Sequence, residues 1–172
     1  MTLRRVLRRP RQFLLALAPS EPIACRTIIG AFLPEPAAAA FAAMPAVDRA
    51  HACRVALALP DGANRDLVAA ALLHDVGKAD GTYQARIPDR IARVVLARVA
   101  APVLRRLAAP PATGWRTGLV LAVHHPALGA ARARDLGCTP RTVWLIAHHE
   151  DARAAADDPE LAVLLATDDV TP

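Results

Sequence analysis

Residues Leu67–Lys78 read LVAAALLHDVGK. The first seven positions carry only small and aliphatic side chains, so Leu67, Val68, Ala71 and Leu72 are expected to drive a helix inward. That helix should end at the polar doublet His74-Asp75, with Gly77 supplying a flexible C-terminal turn. Consecutive His and Asp cannot face one way on a regular helix, but at a helix end they can converge. A carboxylate offers two oxygens and an imidazole one nitrogen, so Asp75 can bridge two ions while His74 binds one. A mixed shell of this kind suits Mn, Fe, Zn or Ni better than Ca.

The remainder of the chain fits a helical protein built around this segment. It has 172 residues, a one-domain length with enough chain to bury a core. Hydrophobic residues make up 54 % and charged residues 22 %, which excludes a disordered chain. Aromatics are only 3 %, and the apolar content is mostly Ala, Leu and Val. This favours closely packed helices over a β-sandwich. The net charge is +5, and Lys78 is the only lysine among 21 cationic residues. Such a balance is compatible with anionic ligands, although a solvated basic surface is the first reading. Cys25, Cys53 and Cys138 are odd in number, widely spaced and without a CxxC pair, so reduced buried thiols are expected. No apolar run approaches the roughly 20 residues of a membrane span. Residues 1–20 are basic and read as a first helix or arm, with Phe13, Leu14 and Leu17 available to cover the core. A cytoplasmic protein with no stable nucleic-acid or membrane partner is expected.

Prolines and caps divide residues 21–172 into roughly eight helices of one all-α domain. The expected segments are Glu21–Leu33, Pro36–Met44, a helix opened by Pro45, and one capped by Asn64 that runs through Leu73. A long helix follows Pro88, with Ile91, Val94, Val95 and Val99 at helical spacing and a break at Pro102. Trp115–Val123, Pro126–Leu136, Pro140–Glu150 and Pro159–Val170 complete the set. Thr139 and Asp158 precede prolines that suit the first helical position.

The six histidines are His51, His74, His124, His125, His148 and His149. Each neighbours another His or an Asp, or has an Asp three residues away. Starting helices at Pro126 and Pro140 places His125 beside His148 and His149, because an antiparallel pair sets the start of one helix against the end of the other.

His51, the HDVGK stretch and the late Asp168 together resemble the HD superfamily of metal-dependent phosphohydrolases, over about residues 45–170. Residues 125–150 resemble its dinuclear subset, which includes HD-GYP phosphodiesterases and HD-type diadenosine tetraphosphate hydrolases. The resemblance implies one ion on His51, His74, Asp75 and Asp168, and a second on Asp75, His125 and His149, with His148 the alternative to His149. Asp169 is a weaker competitor for the late Asp, and His124 is expected outside the ligand set. Two ions ~3.5–4 Å apart can acidify a shared water and clamp a phosphate. The implied activity is hydrolysis of a nucleotide or other small anionic phosphoester by a metal-activated hydroxide. Lys78 is placed to bind a phosphate oxygen. Asp48, three residues before His51, is placed to orient it or to accept a proton. Arg54, Arg86, Arg90, Arg132 and Arg141 are further phosphate-binding candidates, each read first as a surface residue.

The chain departs from the named subsets. It has no DG-x-GYP segment after Glu150, and Val47 stands where a third-metal carboxylate is expected. These departures weigh against a cyclic-di-GMP phosphodiesterase. An HD-type di-iron oxygenase uses the same ligand set and is one alternative. A non-enzymatic HD domain that binds a nucleotide or a partner is the other.

Overall fold

A computed structural model describes residues 22–171. The basic N-terminal segment, with Phe13, Leu14 and Leu17, lies outside the described residues. The fold is all-α. Ten helices follow in order: α1 (Cys25–Phe32), α2 (Glu35–Ala42), α3 (Ala46–Leu57), α4 (Arg65–Leu73), α5 (Ile87–Val99), α6 (Ala101–Leu107), α7 (Arg116–Asp135), α8 (Pro140–His148), α9 (Ala154–Asp157) and α10 (Pro159–Val170). A 3-10 turn, Val76–Lys78, sits between α4 and α5. Among the described residues the only β-type pairing is an isolated bridge between Ala79 and Gln84.

Helix α4 is the axis of the bundle. Every residue from Leu67 to Leu73 is buried, so the helix is covered all round and not on one inward face. Helices α1, α3, α8 and α10 pack against it. Its alanines let those neighbours approach closely, and Leu72 and Leu73 fill the centre with Phe41, Leu145, Ile146, Leu161 and Leu164. Truncating one of these leucines to Ala is expected to cost about 2–5 kcal/mol. A smaller cluster of Leu104, Ala108 and Leu119 joins α6 to α7.

The expected caps are in place. Asn64 Oδ1 accepts from the Leu67 amide at 2.9 Å, Thr139 Oγ1 from Thr142 at 3.1 Å, and Asp158 Oδ1 from Leu161 at 2.9 Å. Each satisfies an amide that the helix leaves unbonded. The break at Pro102 is also seen, with Ala100 at φ −152° and ψ 53° between α5 and α6.

Several expectations are corrected. Among the described residues there are ten helices, slightly more than the rough eight expected, with α6 and α9 as short separate helices. Pro126 does not start a helix; it lies inside the continuous twenty-residue α7. Helix α8 ends at His148, with His149 as its C-cap. Cys25 and Cys53 form a disulfide between α1 and α3, with Cα atoms 5.6 Å apart, and only Cys138 is free. Helix packing, not sequence spacing, brings that pair together.

Gly77 is not a left-handed turn residue either; the described glycines with positive φ are Gly62, Gly81, Gly114 and Gly137. It is required by close approach. A Cβ at Gly77 would lie 2.2 Å from the His125 carbonyl oxygen and 2.5 Å from the Gly129 nitrogen. The 3-10 turn therefore lies flat on α7, backbone against backbone. Gly77→Ala is expected to lower stability by at least ~1–3 kcal/mol, the range for overpacking against a backbone that cannot yield. Urea unfolding reads this directly, and an unchanged midpoint would contradict the close-approach assignment.

Candidate metal centre

Three buried histidines use their inner ring nitrogens alike. His74 Nδ1 lies 2.9 Å from the Ala71 carbonyl, His125 Nδ1 3.0 Å from Ala122, and His149 Nδ1 2.8 Å from Ile146. A carbonyl can only accept, so each Nδ1 carries the hydrogen. In the neutral ring each Nε2 then holds a lone pair. His74 and His149 each cap a helix, where terminal carbonyls lack helical partners.

The Nε2 atoms converge with carboxylates. His51, His74 and Asp168 form one group, and Asp75, His125 and His149 a second; within each group the ligand-type atoms lie within 4.8 Å of one another. His51 Nε2 is 2.8 Å from Asp168 Oδ1, and His74 Nε2 is 3.7 Å from the same oxygen. Asp75 stands between the groups. Its Oδ2 is 3.5 Å from His74 Nε2, while its Oδ1 is 3.5 Å from His125 Nε2 and 4.0 Å from His149 Nε2. His74 is 2 % exposed and Asp75 3 %, so this meeting is shielded from water.

The donor set fits a divalent ion. His74 Nε2 is buried with no hydrogen-bond partner, which is costly for a polar atom unless a ligand satisfies it. His125 Nε2 and His149 Nε2 are 3.1 Å apart. Two lone pairs at that separation repel unless a proton or a cation lies between them. Burial disfavours the proton, pushing His125 down to about 3 and lowering His149 as well. Metal–nitrogen bonds of about 2.0–2.1 Å set neighbouring ligand atoms roughly 3.0–3.4 Å apart, close to the spacing found here. Asp75, His125 and His149 could thus hold a metal ion.

Charge is concentrated on Asp75. Burial alone would raise its carboxyl, but His74, Lys78, His125 and His51 together hold it well below the usual range. Lys78 Nζ lies 2.6 Å from Oδ2. His51 is also opposed by burial, yet the bond to Asp168 and the charges of Asp75 and Asp168 raise it above 6.5. Burial would raise Asp168 too; the bond from His51 and the nearby imidazoles lower it.

Of the residues singled out by sequence, His51, His74, Asp75, His125, His149, Asp168 and Lys78 come together. His148 does not: its ring stacks on Trp144 with centroids 4.5 Å apart, and its Nδ1 donates to the Trp144 carbonyl. His124 Nε2 donates to the Ala108 carbonyl at 2.9 Å. Asp48 is buried, and both its oxygens accept from Arg90 at 2.7 Å, so the structure commits its carboxylate to that guanidinium and not to orienting His51. Glu150 was missed by sequence reasoning. Its Oε1 is 3.7 Å from His125 Nε2, and its other oxygen pairs with Arg93. Its position directly after His149 was the available signal. A cleft of about 710 Å³ opens beyond the turn, lined in part by Ala79, Tyr83, Arg86, Trp115 and Arg132. None of the six clustered His and Asp residues lines it.

No protein-family model, curated protein or solved structure matches the chain. Among the described residues, no helix is long and apolar enough to cross a membrane.

Two outcomes are expected of metal-free protein in solution. Long-range ¹H–¹⁵N correlation should find His74 and His149 as Nδ1–H tautomers at neutral pH; an Nε2–H form at either would contradict the carbonyl bonds. In an NMR titration His51 should take its proton above pH 6.5 and His125 only near pH 3. The folded value of His125 lies below its unfolded one, so its stabilising contribution is present at neutral pH and is lost as pH falls from about 6.5 towards 3. The reverse order of protonation would overturn the electrostatic assignment.

Proposed function

We propose that this chain is a metal-dependent phosphohydrolase of the HD type, acting on a nucleotide or another small phosphoester. The supporting observation is Asp75, a buried carboxylate with one oxygen towards His74 and the other towards His125 and His149. In this reading Asp75 would help to hold each of two divalent ions. His51, His74 and Asp168 complete the holding of one, and His125 and His149 the other. Ions bound in such a pair supply Lewis acidity, which acidifies water and neutralises phosphate charge.

The chain's own groups do the rest. The Nδ1 bonds of His74, His125 and His149 fix ring orientation before any ligand arrives. Lys78 is 17 % exposed at its side chain and reaches Asp75, so its ammonium can meet a phosphate oxygen at the mouth of the cluster. Arg90, held on Asp48, lies near enough to Asp75 to feel its charge, and Arg93 lies on Glu150. Lys78, Arg90 and Arg93, each paired with a carboxylate, are the cations available beside the cluster to an anionic substrate.

Elemental analysis of protein purified without chelator is expected to find about two divalent ions per chain, with loss in Asp75→Asn. The loaded protein should hydrolyse members of a phosphoester panel, and Asp75→Asn should not. Lys78→Met should keep the metal and lower kcat/KM roughly 10–100-fold, as for loss of one charge-assisted hydrogen bond. Failure to take up metal even after reconstitution would overturn the proposal and favour a binding domain without catalysis. Iron-dependent oxygen uptake without hydrolysis would favour the oxygenase.

A further inference from the structure

His125 is the exception among the three oriented histidines. His74 and His149 sit at helix ends, where carbonyls are left over. His125 lies near the middle of α7, where every carbonyl should already bond to the amide four residues on. The Ala122 carbonyl that takes the His125 Nδ1–H is the one that residue 126 would bond. Residue 126 is proline and has no N–H. Its ring also crowds the carbonyl four residues back and tilts it out of the helical line. The next residue in sequence thus removes the competitor for the acceptor that His125 uses.

We infer that Pro126 is the positioning residue for His125. By withholding an amide from Ala122 it frees that carbonyl, locks the imidazole in its Nδ1–H form, and presents Nε2 to Asp75 and His149. This explains why a residue that weakens helix interiors stands inside the longest described helix, next to a clustered histidine. It rests on the metal reading only in what Nε2 is presented for.

The test is Pro126→Ala, which restores the amide. In metal-free protein, long-range ¹H–¹⁵N correlation should show the parent His125 as Nδ1–H. In the variant it should shift towards Nε2–H, while His74 and His149 keep theirs. The melting temperature should rise, because an interior helix bond is regained, while affinity for the second of two Mn or Zn ions falls about 10–100-fold. A merely structural proline would not separate these readouts. Replacing Pro126 by the α-hydroxy analogue of alanine, which also lacks an N–H, should restore tautomer and affinity. Pro126→Gly repeats the amide test with a smaller side chain should the alanine destabilise the fold. An unchanged His125 tautomer in both amide-bearing variants would overturn the inference, even if two ions bind. A tautomer shift in a protein that binds no metal would sustain it and count only against the phosphohydrolase reading.

Discussion

The contact between Gly77 and Gly129 sets the geometry on which the rest depends. The 3-10 turn after α4 lies directly on the backbone of α7, and an added Cβ at Gly77 would collide with the His125 carbonyl. Asp75 immediately precedes that turn, so the same contact carries its carboxylate to His125. Behind Gly129 stands Ile146 of α8, whose Cγ2 would be 3.3 Å from an added Cβ there. Three elements that supply Asp75, His125 and His149 are thereby packed against one another with no side chain to spare. Moving the turn outward by even the width of a methyl group would separate the Asp75 carboxylate from two imidazoles.

Within that frame His74, His125 and His149 are oriented by backbone carbonyls, while His51 is held by Asp168. The result is four imidazoles in sequence, His51, His74, His149 and His125, with neighbouring ring centroids 5.5, 5.1 and 5.0 Å apart. Burial keeps His125 and His149 neutral, and a neutral ring bonded through Nδ1 has its free lone pair on Nε2. Asp75 is held ionised against burial chiefly by His74 and by the Lys78 ammonium 2.6 Å from Oδ2. Neutral nitrogens and an ionised oxygen in a water-poor space are the donor states that divalent ions require.

Local features were the legible ones. Asn64, Thr139 and Asp158 cap because capping spans four residues, and the adjoining chain states the rule openly. The closeness of His125 and His149 was anticipated from a premise that failed. Pro126 does not begin a helix, yet α8 folds back along the second half of α7, and nine residues of α8 bring its end level with the middle of α7. The unread features were tertiary. Arg90 claims Asp48 across 42 residues, and Cys25 meets Cys53 across 28. His148 and His149 are adjacent in sequence, but helix rotation sends one ring to Trp144 and the other to the cluster. Gly77 looked like a turn residue because close approach leaves no mark in one sequence.

The proposed activity requires that Asp75 be able to hold two divalent ions at once. The most direct measurement is anomalous diffraction at the Mn, Fe and Zn edges from crystals of the protein grown with its own metal. Two peaks on either side of the Asp75 carboxylate, about 3.5–4 Å apart, are predicted. A single peak among His51, His74 and Asp168, or none within reach of Asp75, would contradict it.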